Sequence, residues 1–245
     1  MVADPIMSDP ATSAPGQSGG ETTAARQAIF ARIREALAVA PSAGHGVGAL
    51  ATSVVEVLPA VGATFAEQVA LFSRNAQDLR AEFKQVAGFP ELVQELQQLA
   101  GEAGWHRLAT HAGTLTDAIA PALSLPVLRV DGGVDAAELE RCDVGLTECD
   151  ALVAQTGSVL VTSRSAGGRA LSVLPPHHVV LARADQLVAG LPDAFALLEA
   201  KYAAGYPSMI SFITGPSRTG DIERILVLGA HGPKRLTVLM VGGEN

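Results

Sequence analysis

Two glycine-rich stretches hold most of the side chains able to do chemistry. The first, Gly215-Pro216-Ser217-Arg218-Thr219-Gly220-Asp221, follows an apolar run and offers backbone amides, two hydroxyls and a guanidinium, the makings of an anion nest. It matches a phosphate loop at the first and sixth positions, but Asp221 stands where the lysine must be, so nucleotide hydrolysis is not supported. A turn in which Ser217 and Asp221 cap backbone amides accounts for the same residues. The second stretch, Ser163-Arg164-Ser165-Ala166-Gly167-Gly168-Arg169, combines two arginines with adjacent glycines that permit close backbone approach. It can receive a phosphate or carboxylate, or simply form a solvated loop. Neither stretch, nor Gly44-His45-Gly46-Val47-Gly48, fits the dinucleotide fingerprint between a strand and a helix.

The six histidines form no metal site by spacing, since no H-E-x-x-H occurs and His106 and His111 lack a cysteine or acid in register. His177 and His178 are adjacent, so on a strand they point to opposite faces and one of them can face a site. His231 lies beside Lys234 and Arg235, where it can serve as an acid–base group or anion ligand, or as an ordinary turn histidine. Cys142 and Cys149 sit among Glu140, Asp143, Glu148 and Asp150, whose charges oppose a thiolate. Two cysteines are also too few for a disulfide scaffold or an iron–sulfur cluster. A reducing cytoplasm fits this usage.

Positioning these groups falls to a chain of 245 residues, 48% hydrophobic and 17% charged, with ample material for a core. Its net charge of −8 argues against nucleic acid or anionic lipid as a partner. The acidity is uneven: residues 1–163 hold 9 basic and 19 acidic groups, whereas residues 164–245 hold 8 and 6. A small anion in a local pocket therefore remains open. No uninterrupted apolar run is long enough for a membrane span; the stretch from Gly46 to Ala66 carries Glu56, Pro59 and three glycines.

Residues 1–25 read as a flexible tail rich in Pro, Gly, Ser and Thr, with no basic start or apolar block of a signal peptide. An N-terminal helical segment, 26–83, follows. Ile29, Ile33, Ala36 and Leu37 mark a first helix, stopped by Pro41 and Gly44, and Phe65, Val69, Phe72, Ala76, Leu79 and Phe83 mark a second over 65–83. Thr64 and Glu67 supply a capping box for it. Residues 84–245 then form an α/β domain, with 26–245 expected as one compact unit. Strands at 83–87, 107–110 and 126–130 alternate with helices from Pro90, closed by Gly101 and Gly104, and over 114–123, the rhythm of a covered parallel sheet. The remainder is richer in strands: 151–155 and 158–162 flank the Thr156-Gly157 reversal, 170–174 and 178–183 follow, a helix covers 193–203 and 208–214 is a strand. A final hairpin joins Ile225–Leu228 to Leu236–Val241.

Five motifs in order define a resemblance: Gly145-Leu146-Thr147-Glu148-Cys149-Asp150-Ala151; Gln155-Thr156-Gly157-Ser158; Gly168-Arg169-Ala170-Leu171 with Leu174-Pro175 and His178; Gly215-Pro216-Ser217 with Asp221-Ile222-Glu223; and Gly229-Ala230-His231-Gly232-Pro233. Over residues 141–242 the chain resembles the lactate-utilisation (LUD) domain family. The resemblance implies a NagB/RpiA/CoA-transferase-like α/β core sheet with flanking helices and an N-terminal helical extension. It also implies a cytoplasmic accessory component of an L-lactate oxidation system. Iron–sulfur clusters would lie on partner proteins, with no cofactor on this chain. The expected ligand is a small anion held by Thr156, Gly157, Gly168, Arg169, Ser217, Arg218, Asp221 and His231. Threonine, glycine and serine would donate hydrogen bonds, the arginines would supply charge, and the histidine a switchable proton. Gln155 replaces the glutamate usual in the family, and an amide cannot form an acyl anhydride. The catalytic residue is not assigned; the candidates are Glu148, the nearest other carboxylate for covalent chemistry, and His231 as an acid–base group. The alternative is a stand-alone enzyme of the same fold acting on a phosphosugar, acyl-CoA or folate-like carboxylate.

Overall fold

The structure, a computed structural model, describes residues 19–38, 59–220, 226–228 and 232–242. The chain divides into two units, Met1–Glu56 and Val57–Asn245. The first contains helix α1 (Gly19–Ala38), which begins within the stretch expected to be a tail. Ala24 and Ala25 favour the helical state.

The first element of the second unit is helix α2 (Phe65–Asp78). The Thr64 hydroxyl accepts from the Glu67 amide at 3.2 Å, and the Glu67 carboxylate accepts from the Thr64 amide at 2.9 Å, completing the capping box. The helix stops five residues before Phe83, because Arg80 adopts a left-handed conformation (φ 65°) and turns the chain into strand β1 (Glu82–Val86). Phe83 therefore packs against Phe72 across two elements, ring centroids 4.9 Å apart, and does not extend the helical stripe.

Next come helix α3 (Phe89–Ala103), β2 (Leu108–Thr110), α4 (Thr114–Ile119) with a 3-10 turn through Leu123, β3 (Val127–Arg129), α5 (Ala136–Leu139) and β4 (Val144–Glu148). Gly101 lies inside α3, and Gly104 alone terminates it with a left-handed cap. The chain continues through β5 (Ala151–Val153), β6 (Ser158–Thr162), α6 (Arg169–Val173), β7 (His177–Arg183) and β8 (Leu187–Val188). It ends with α7 (Leu191–Tyr202), β9 (Ile210–Ile213), β10 (Arg218–Gly220), β11 (Leu226–Leu228) and β12 (Arg235–Val241).

Six strands form a wholly parallel sheet in the order β1-β12-β7-β4-β2-β3. Period-two alternation divides its side chains between two cores. Val180, Ala182, Leu236, Val238 and Met240 pack on α2 and on part of a second sheet. Val179, Leu181 and Leu239 pack with Leu92, Leu96 and Ile119 of α3 and α4 on the other face. The second sheet, β8-β5-β6-β9, turns Ala151, Val153 and Leu160 towards Ala194, Leu198 and Tyr202 of α7.

Two expected strand features take another form. Residues 170–173 are helical: Gly168, at φ 103°, precedes α6, whose buried Leu171 and Ser172 are neighbours and not alternate residues. The final hairpin is absent. β11 pairs with β10, while β12 lies between β1 and β7 with both edges occupied. Its almost unbroken buried run from Leu236 to Met240 is the pattern of a strand covered on both faces.

Candidate functional site

Strand order fixes where the sheet opens. From β2 the chain moves outward to β3, then returns to β4 and proceeds the other way to β7 and β12. β2 and β4 are therefore neighbours whose connections leave in opposite directions, and the crevice beyond their carboxyl ends is where open α/β sheets bind ligands. There the structure has a cavity of about 200 Å³, lined by His111, Glu148, Arg164, Arg183 and Lys201 among others.

Each lining group is held by a specific local arrangement. Glu148 ends β4, and its Oε1 accepts from the amides of Leu115 (2.7 Å) and Thr116 (3.2 Å) at the start of α4. Gly113 makes this possible, because an added Cβ would collide with that oxygen and with Thr116 Oγ1. The Glu148 amide donates to His111 Nε2 at 3.1 Å, so His111 Nδ1 carries the proton and donates to the Ala112 carbonyl at 2.8 Å. Both ring nitrogens are thus committed to backbone.

Beneath the cavity, Asp150 is fully buried, and its Oδ1 accepts from Lys201 Nζ and from the Tyr202 hydroxyl, each at 2.6 Å. Burial raises the Asp150 pKa, but the bonds from Lys201 and its other neighbours outweigh it and hold the carboxyl below its usual range. For Lys201, desolvation lowers the pKa while the Asp150 bond and charge raise it, and the latter prevail. Arg164 lies 5.4 Å over the Tyr202 ring, and Arg183, the last residue of β7, bonds Asp185 at 3.1 Å. The cavity thus presents three cations and one carboxylate, Glu148, an arrangement suited to a small anion.

The ligand residues expected from sequence separate into several places. Arg169 and Ser217 line a second cavity of about 440 Å³ with Met209, Ile213 and Gly232. Gly168 sets the start of α6. Arg218 donates to the Leu79 carbonyl at 3.0 Å. Thr156 and Gly157 form the β5–β6 turn against α2, where Asn75 Nδ2 donates to the carbonyls of Ala154 (2.9 Å) and Gln155 (3.0 Å). Gly157 has φ 65°, and a Cβ there would strike the backbone of Asn75 and Ala76. The Thr156 hydroxyl is buried without a partner among the described residues. Gln155 belongs to the same scaffold, donating to the Pro59 carbonyl at 2.8 Å. Asp221 and His231 lie outside the described residues. Of the two catalytic candidates, Glu148 stands in the strand-end cavity.

His177 and His178 face opposite sides of β7 and both are buried against hydroxyl groups. His177 Nε2 meets Thr237 Oγ1 and His178 Nε2 meets Thr147 Oγ1, both at 2.9 Å. Burial, reinforced by Arg235, pushes His177 down to about 4, and burial beside His177 pushes His178 down to about 3. Burial likewise pushes the Cys149 thiol well above its usual range, with Asp150 and Glu148 adding to the effect. Arg183 and Lys201 escaped the sequence reading. Arg183 carried one usable signal, a cation closing an apolar strand; Lys201 looks like any exposed residue of a last helical turn.

Sheet order defines an α/β protein with a crevice at a topological switch point. Residues 128–241 match the LUD domain family model. Lactate utilization protein C of Deinococcus radiodurans is 36% identical over 121 residues, covering 49% of this chain and 56% of the relative. The protein of the same name from Halalkalibacterium halodurans is 38% identical over 104 residues, 42% of this chain and 45% of the relative. The chain spans about half the length of these curated relatives. The crystal structure of a duf162 family protein from D. radiodurans superimposes with a TM-score of 0.59 at 29% identity, covering 74% of this chain and all of that one. Among the described residues no helix is long and apolar enough to cross a membrane.

Proposed function

We propose that this chain is an accessory component of a cytoplasmic L-lactate oxidation system, holding a small anionic ligand beyond β2 and β4 and associating with iron–sulfur partner proteins. The strand-end cavity carries the reading: Arg164, Arg183 and Lys201 face it at the switch point of a parallel sheet. At about 200 Å³ it suits a carboxylate of a few heavy atoms. Lactate as the metabolic context is supported by relatives named lactate utilization protein C. Cys142 and Cys149 are both buried, and two thiols do not make the common four-thiolate cluster, which supports iron–sulfur clusters on partners.

Calorimetric titration of the full chain with L-lactate tests this reading. Saturable binding is expected, weakened about 10-fold or more by Arg183→Ala, as for loss of a charge-assisted contact. No binding, or binding weakened by Arg169→Ala and untouched by Arg183→Ala, would contradict the assignment.

A further inference from the structure

Glu148 is an unexpected lining for a cavity otherwise arranged to attract anions. Its Oε1 is fixed by the α4 amides, whereas its Oε2 accepts no hydrogen bond among the described residues. A bare anion drawn in by Arg164 and Arg183 would meet this carboxylate as a like charge. An anion carrying its own O–H would turn the same encounter into a charge-assisted hydrogen bond.

Three of the neighbouring polar groups, His111, Gln186 and Ser165, are already engaged. His111 uses both nitrogens on backbone. Gln186 accepts from the Arg183 amide at 2.7 Å and donates to the Cys149 carbonyl at 2.6 Å. Ser165 Oγ accepts from the Thr162 amide at 2.9 Å. Within about 200 Å³, the ligand's carboxylate and its donor must also lie within a few bonds of each other.

We infer that Glu148 is the specificity-determining residue of this cavity: Oε2 accepts the hydroxyl of a 2-hydroxy acid and so favours it over the 2-oxo acid of the same skeleton. The inference rests on the small-anion reading of the cavity. It gives the site a direction, retaining the reduced acid and releasing the oxidised one. A 2-oxo acid offers Glu148 only acceptors, leaving two acceptors opposed.

The test compares L-lactate, pyruvate and L-2-methoxypropionate, whose ether oxygen has no proton, as ligands of the full wild-type chain by calorimetry. Lactate is expected to bind about 10-fold or more tightly than either other acid, the difference made by a hydrogen bond to a charged group. Glu148→Gln, checked for folding by circular dichroism, is expected to bring the three affinities together, since an amide can donate to a ketone or ether oxygen. Equal binding of lactate and pyruvate to the wild type would overturn the inference and leave the small-anion reading standing. Binding of none of the three would overturn both.

Discussion

Glu148 and His111 meet because each end of the encounter is held by backbone, the first on α4 amides and the second on the Glu148 amide and the Ala112 carbonyl. Such a bed positions a carboxylate without a charged side chain as its partner, so none of the cavity's cations is spent on Glu148. Buried histidines elsewhere have another consequence. His177 and His178 sit at about 4 and about 3, well under the usual 6.5, so the unfolded chain takes up their protons first as pH falls. Their contribution to stability is complete above about pH 6.5 and declines as pH drops towards those folded values. Urea unfolding is therefore expected to lose on the order of 2–4 kcal/mol between pH 7 and pH 5. A stability unchanged over that interval would mean that the imidazoles are not buried as neutral groups. Which residues meet at Glu148 was only partly legible. The sequence marks Glu148 by its motif, but His111 and Lys201 lie 37 and 53 positions away and meet it only through sheet order.

Elements carry the Gln155-Thr156-Gly157 motif into a structural role. The turn docks on α2 through Asn75, and Gly157 supplies the left-handed bend where no Cβ fits. Gly157→Ala is expected to lower stability by about 2 kcal/mol or more in urea unfolding, combining backbone strain with overpacking. Affinity for L-lactate should stay unchanged in the folded variant. Weakened binding at undiminished stability would return the turn to the ligand site. Strongly patterned elements were readable, as the α2 capping box and its apolar spacing show. Short apolar runs were not: residues 170–174 suit a strand or a buried helix equally, and the glycine at φ 103° that decides between them has no signature in sequence. The strand at 236–241 was legible, but its partners were not, because parallel neighbours β1 and β7 lie far away along the chain.

At the scale of the whole molecule, strand order places an opening where the chain changes direction across the sheet, between β2 and β4. The LUD domain match begins at residue 128 and so includes Glu148, Arg164, Arg183 and Lys201, while His111 and α4 precede it. The alternation of helices and strands made the α/β class readable; the opening depends on strand order, which no local pattern encodes. The most direct test of the account is amide chemical-shift mapping of the isotopically labelled full chain during L-lactate titration. The account predicts saturable shifts concentrated in residues 111–116, 148–149, 164–165 and 183–186. Shifts confined to 169–173 and 209–217, around the larger cavity, or no shifts at saturating lactate, would contradict it.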